Sequence, residues 1–201
     1  MNLFFKLLFL IKKPKVVVVF DQGLLINPLL FNIFENEYGI SKTSLESTSI
    51  LGLFRNYPLI VKWDGKKTKI ISFLVRHSSF PILLLNNIPE NNNDFYSLIK
   101  SIPRNGYLIT DLDSLKNLKR VGELGDINFI STGFDEKSEV WASDINIGTE
   151  TNFKLRYGGD AIPFWFDREL AEEEIMATLL AVGSAMVSGI NLVKISQIFK
   201  G

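Results

Sequence analysis

Val16 to Phe20 is an unbroken apolar run, four of its five residues β-branched. A strand with one wet face alternates apolar and polar residues, whereas an unbroken β-branched run is buried on both faces, as inside a parallel sheet. Similar runs recur at Pro58 to Val61, Pro81 to Leu85 and Tyr107 to Ile109. Between them the period lengthens. Pro28 to Tyr38 reads as a helix, with Pro28 tolerated in its first turn and Gly39 at its end. Ile70 to Val75 and Asp94 to Ser101 are helix-like, and Ser114 is placed to cap a helix through Leu118. Ser41 to Ser49 and Asn91 to Asn93 read as polar loops.

The second half changes character. Ile127 to Ser131, Glu139 to Ile147, Asn152 to Tyr157 and Ala161 to Phe166 are strand-like, and Gly158-Gly159 is a hairpin signal. A long helix is predicted from about Arg168 to Val187, with Asp167 as N-cap and Glu169, Glu172, Glu173 and Glu174 near its positive start. Ile175, Leu179, Val182 and Met186 share one face, Gly189 ends the helix, and Asn191 opens a last short one carrying Leu192, Ile195 and Phe199. The expected fold is α/β. It has a P-loop-like, mostly parallel sheet with flanking helices, a small antiparallel strand region and a long C-terminal helix.

Composition narrows the function classes. The 201 residues carry 22 basic and 22 acidic side chains, which argues against a strong grip on nucleic acid. There is no cysteine, so disulfides and thiolate metal sites are excluded, and a reducing, cytoplasmic setting is expected. The only histidine is His77, so a multi-histidine zinc site is excluded too. Met1 to Ile11 is apolar, interrupted by Lys6 and closed by Lys12-Lys13. It is too short to span a bilayer as a helix and has no small-residue cleavage site after it. Packing on its own domain is one reading; weak contact with a membrane surface is the other.

The candidate chemistry lies after the strand at Pro58 to Val61. Lys62-Trp63-Asp64-Gly65-Lys66-Lys67-Thr68 separates that strand from a helix. Strand, tight turn and helix is the frame of a phosphate-binding loop, which needs glycines, a lysine for the phosphate and a hydroxyl for magnesium. Gly65 and Lys66 are in place, but Lys67 stands where the hydroxyl should be. Against this stands a plain solvated basic turn formed by Lys62, Lys66, Lys67 and Lys69. Asp111 and Asp113 read as a magnesium pair or as an acidic strand-end turn. Trp63 reads as core or as filler of a vacated cleft, and Asp21-Gln22-Gly23 as a turn.

In order along the chain, these segments resemble the central domain of the Mur ligases. The resemblance is strongest to the ligase that adds D-alanyl-D-alanine to a UDP-muramoyl tripeptide. Leu59 to Thr68 resembles the family's strand and Gly-Thr-x-Gly-Lys-Thr-Thr loop, with Gly65, Lys66 and Thr68 matching and Lys62 at the first glycine. Pro81 to Asn92 resembles the strand ending Thr-Asn-Ile-Gly-x-Asp-His, with Asn87 and Ile88 matching, Pro89 for the glycine and Asn92 for the metal histidine. Gly106 to Asp113 resembles the strand ending Asn-x-Asp-Asp, with Asp113 matching and Ser114 for the second acid. Thr178 to Ala181 and Gly189-Ile190 resemble the alanine-rich helix and its ending, with Glu173-Glu174 in place of a His-Asn pair. The segment with the metal glutamate looks deleted between His77 and Pro81.

The resemblance implies a ligase-like domain over residues 58–201, preceded by an N-terminal apolar segment and strand–helix appendage over 1–57. The family's N- and C-terminal modules are not recognisable. ATP and magnesium serve the family; here both are expected to be lost, with Gly65, Lys66, Thr68, Asn87 and Asp113 as vestigial cofactor-binding residues and no catalytic or metal residue. The expected role is a non-catalytic interaction or scaffold protein of peptidoglycan synthesis, with a complete Mur ligase or another cell-wall enzyme as partner. The alternatives are a remnant that still binds a nucleotide or UDP-linked ligand, and an amide ligase working with a partner chain.

Overall fold

The computed structural model describes residues 3–39, 57–88, 92–120 and 126–200, with the backbone alone for Lys119 and Arg120. The loop expected at Ser41 to Ser49 lies outside the described residues, as do Pro89 and Asn91. Helix α1 (Leu3–Lys12) precedes strand β1 (Val16–Phe20) and helix α2 (Ile26–Tyr38). Then come β2 (Leu59–Lys62), α3 (Thr68–His77), β3 (Pro81–Leu85), α4 (Asn93–Ile99), β4 (Tyr107–Asp111) and α5 (Leu112–Arg120). The chain continues through β5 (Asn128–Gly133), β6 (Val140–Ile147), β7 (Thr151–Tyr157), β8 (Asp160–Phe166), α6 (Glu172–Val187) and α7 (Leu192–Phe199).

The eight strands among the described residues join one sheet in the order β2-β1-β3-β4-β5-β6-β7-β8. The first five pair in parallel, and β6 runs parallel to β5 through only two residue pairs, Thr132 with Val140 and Gly133 with Trp141. β7 and β8 then fold back antiparallel, closed by Gly158 and Gly159 at φ +59° and +92°, left-handed values suited to a two-residue hairpin. The link from β5 to β6 is far shorter than a usual parallel crossover. It is stitched instead. The Glu139 carboxylate accepts from the Ser131 N–H at 2.7 Å, and the Glu139 N–H donates to Ser131 Oγ at 3.1 Å.

The sheet is covered on both faces, and the period-two alternation sorts its side chains between two cores. Val17, Val19, Ile60, Ile82, Leu84, Ile109 and Ile130 face α2, α6 and α7. Val16, Val18, Phe20, Leu59, Val61, Leu83, Leu85 and Leu108 face α1, α3, α4 and α5. Right-handed crossovers require this split, because the chain moves one way from β1 to β2 and the other way from β2 to β3. β1 therefore sits inside the sheet, hydrogen-bonded to β2 and β3. β1 pairs with strands on the far side of the division expected at residue 57, and residues 16–38 share one sheet and core with β2 and β3.

Several helix ends differ from expectation. α2 starts two residues earlier than the helix read from Pro28, and ends at Gly39 in the left-handed conformation, φ +63°. α5 starts at Leu112; Asp111, not Ser114, caps it by accepting the Ser114 N–H at 2.8 Å. α6 starts at Glu172, not near Arg168, because the Leu170 N–H is tied to Thr151 Oγ1 of β7 at 2.9 Å. Its cap is Ala171, not Asp167. Glu174 reaches back to the Ala171 N–H at 3.0 Å and takes Arg168 at 2.7 Å, and the Arg168 bond, then the Ala171 bond, lower its pKa. At the other end the Ile190 N–H donates to Ala185 O and the Gly189 N–H to Met186 O, with Gly189 at φ +95°, the six-to-one closure that ends many helices.

Candidate functional site

In an open parallel sheet, ligands sit beyond the carboxyl ends of the strands where the strand order reverses. Here the reversal lies between β1 and β3, since the chain leaves β1 towards β2 and then returns past β1 to β3. The loops after these two strands, Asp21 to Leu25 and Asn86 to Ile88, therefore form the candidate site. They are joined directly. The Asn86 N–H donates to Phe20 O at 3.0 Å, and Asn86 Nδ2 donates to Asp21 Oδ1 at 3.1 Å.

Asp21 is the centre of this arrangement. It is only 5% exposed. Its Oδ2 accepts the Ile26 N–H, at the first residue of α2, at 2.8 Å, and its Oδ1 also accepts the Gly23 N–H at 3.2 Å. A helix N-terminus offers unpaired N–H groups and a partial positive charge, the usual seat of a phosphate in such folds. In this chain a carboxylate already occupies the seat. The lysine and hydroxyl that would follow the glycine of a phosphate-binding loop are Leu24 and Leu25 after Gly23. The residues at the switch point do not fit a magnesium-bound nucleotide phosphate.

The turn after β2 borders the same region from the side. Among the described residues β2 is an edge strand paired only with β1, so this turn lies next to the switch point rather than at it. Trp63 is 3% exposed and continues the ladder, donating its N–H to Val19 O at 2.8 Å. Its ring meets Phe95 at 4.7 Å and Phe20 at 5.5 Å, and its Nε1 donates to Lys66 O at 2.7 Å. Trp63 is thus a core residue that also walls a cavity of 540 Å³ in front of Asp21.

Two of the sequence-predicted residues, Gly65 and Lys66, line this cavity together with Asp21 and Asn92. Gly65 is left-handed at φ +84°, and the Lys66 N–H, which a phosphate loop would aim at its ligand, donates to Asp64 Oδ1 at 3.0 Å. Thr68 opens α3 and faces a separate groove of 340 Å³ with Lys69, Arg76 and His77. Asn87 is exposed at φ +55° after β3, and Asp113 is exposed in the first turn of α5, paired with Lys116 at 2.9 Å. Neither lines the cavity at Asp21. Asn92 caps α4 by accepting the Asp94 N–H at 3.0 Å. The acidic pair Asp111 and Asp113 is divided between a cap and an ion pair.

Sequence reasoning missed Asp21 and Asn86. The signal was present in the first strand, which is followed by Asp-Gln-Gly and then a helix, the same strand–turn–helix frame as at residues 59–68.

No family model matches the chain, and no curated protein does. Solved structures do. A murein peptide ligase from Psychrobacter arcticus 273-4 superposes with a TM-score of 0.69 at 13% identity, over 98% of this chain and 49% of that one. MurF from Acinetobacter baumannii gives 0.67 at 13%, over 98% and 49%. MurF from Thermotoga maritima in complex with ADP gives 0.66 at 13%, over 96% and 50%. The fold is that of Mur ligase structures, and the chain spans about half the length of the ligases it matches. With 98% of the chain inside the match, β1 and α2 belong to the matched fold as well.

Proposed function

We propose that this chain is a Mur-ligase-like protein without ligase catalysis, acting by interaction or as a scaffold in peptidoglycan synthesis. One observation carries the reading: the N-terminus of α2, at the switch point, is held by the chain's own Asp21 carboxylate. A phosphate brought to the same donors meets a negative charge. Two unit charges about 4 Å apart at an effective dielectric near 20 repel by about 4 kcal/mol, close to a thousandfold in affinity. The loop offers no lysine or hydroxyl to offset this. The cell-wall setting follows from the likeness of fold to ligases of that pathway.

Titration calorimetry with Mg-ATP tests the first half of the proposal. No saturable binding is expected below about a millimolar. Binding in the low micromolar range, abolished by Lys66→Ala, would overturn it. Phosphate release driven by a UDP-muramoyl tripeptide and D-alanyl-D-alanine is expected at background, and gel filtration with complete Mur ligases of the same cell should yield a complex. Acceptor-dependent turnover, with no complex, would sink the scaffold role.

A second reading is a remnant that still binds a UDP-linked ligand or nucleotide. It is favoured by the cavity itself, with Lys62, Gly65 and Lys66 on its wall. Saturable binding of a UDP-muramoyl peptide, weakened by Lys66→Ala, is its distinguishing result.

A further inference from the structure

We propose that α1 and the adjoining face of α3 form a docking surface for an anionic lipid bilayer, with α1 lying in the headgroup layer. Helix α1 is ten residues long and apolar on two sides. Its inner side holds the buried Phe9 and the half-buried Phe5 and Leu8, and Phe9 meets Phe73 of α3 at 5.9 Å. Its outer side presents Leu3, Phe4, Leu7, Leu10 and Ile11. These stand at i, i+1, i+4, i+7 and i+8, one continuous helical stripe. Leu3 and Ile11 are each 74% exposed. A helix that only covers its own domain turns a polar face to water; this one does not.

Charge identifies the occupant. The first fifteen residues carry Lys6, Lys12, Lys13 and Lys15 and no acid, so the remaining 186 hold eighteen basic against twenty-two acidic residues. A chain of zero net charge is thereby polarised towards α1. The basic surface continues onto the next helix. Lys6 Nζ lies over the Phe73 ring at 5.5 Å, and Lys69, Arg76 and His77 line the adjoining groove, where Asp94 is the single acid. An apolar stripe rimmed by lysines matches an interfacial helix whose apolar side enters the acyl boundary while cations meet anionic headgroups. A second copy of the chain on the same stripe would bring like charges together. A ten-residue helix does not cross a bilayer, and no helix among the described residues is long and apolar enough to do so, so the contact is interfacial and reversible.

The test is flotation of the full chain with vesicles of phosphatidylcholine, with and without phosphatidylglycerol. Partition into the anionic vesicles should be at least about tenfold higher and should fall as salt is raised. Leu7→Glu with Ile11→Glu should abolish it while leaving the melting temperature unchanged, since both side chains point outward. Lys6→Glu with Lys15→Glu should weaken it. A milder variant, Ile11→Ser, reads the same effect if the double variant unfolds. Equal partition into neutral and anionic vesicles, or wild-type binding by the Leu7/Ile11 variant, would overturn the proposal. So would a solution dimer that the same variant disperses, with no vesicle binding, because the stripe would then belong to a second copy.

Discussion

Replacing Asp21 by alanine removes one carboxylate and strands three donors. The Ile26 N–H sits at a fully buried residue, the Gly23 N–H lies in a tight loop, and Asn86 Nδ2 ties the loop after β3 to the loop after β1. Loss of a helix cap alone costs about 0.5–2 kcal/mol. A buried donor left unpaired adds roughly 1–3 kcal/mol, and relaxation of the loop recovers part of it. We expect a destabilisation of about 2–4 kcal/mol in urea denaturation followed by circular dichroism, with the midpoint lowered and the slope unchanged. For a chain of this size each kcal/mol shifts the melting temperature by about 2–4 °C, so a fall of roughly 4–16 °C is the thermal counterpart. Asp21→Asn keeps an acceptor and should lose about half as much, chiefly the charge–dipole part, which is worth about 0.3–2 kcal/mol. The alanine variant should also acquire what the native loop lacks: inorganic phosphate should raise its melting temperature more than that of the native chain, because the α2 donors are now free. If Asp21→Ala melts within a degree of the native protein, or phosphate stabilises both equally, the carboxylate is not what fills this site.

Further outcomes follow from other parts of the fold. Glu174 has its pKa lowered below the usual glutamate value of 4.5 by Arg168 and then by the Ala171 N–H, so its stabilisation is fully present above about pH 4.5 and is lost as pH falls through the lower folded value. The stability difference between native protein and Glu174→Gln should therefore shrink below that pH, and a constant difference would refute the assignment. Gly106→Ala places a methyl 2.6 Å from Ile102 Cγ2 and 2.9 Å from Pro81 Cγ, and should cost about 1–3 kcal/mol in the same urea assay. A neutral result there would mean that the β3–β4 end of the core is looser than its packing indicates.

Much of the fold was legible because it is written locally. Val16 to Phe20 has no polar position and is buried at every one; Gly158-Gly159 marks the hairpin; Asn191 caps α7 by accepting the Val193 and Lys194 N–H groups. The site was less legible because its position is a matter of strand order. Leu59 to Thr68 and Val16 to Ile26 present the same strand, turn and helix, and only pairing across the sheet tells that β2 is at the edge and β1 inside. The Gly-Lys pair drew attention to the edge turn, while Asp21 looked like any turn residue. Its role depends on Asn86, 65 positions away in sequence. The start of α6 was misplaced for a similar reason. Asp167 is a good cap by type, but the bond from Leu170 to Thr151 of β7 keeps the chain out of the helix for four more residues.

The interior place of β1 has a consequence for the order in which the protein is made. Val16 to Phe20 is made before either of its partners, Leu59 to Lys62 on one side and Pro81 to Leu85 on the other. Until residue 85 has emerged, a flat, uncharged, β-branched segment has at least one bare edge, the kind of surface that pairs with the wrong chain. Synthesis halted between residues 20 and 80 would release such a fragment, whereas a nascent chain that reaches Leu85 can close both edges at once. The dangerous interval in the life of this protein runs from the synthesis of Phe20 to that of Leu85.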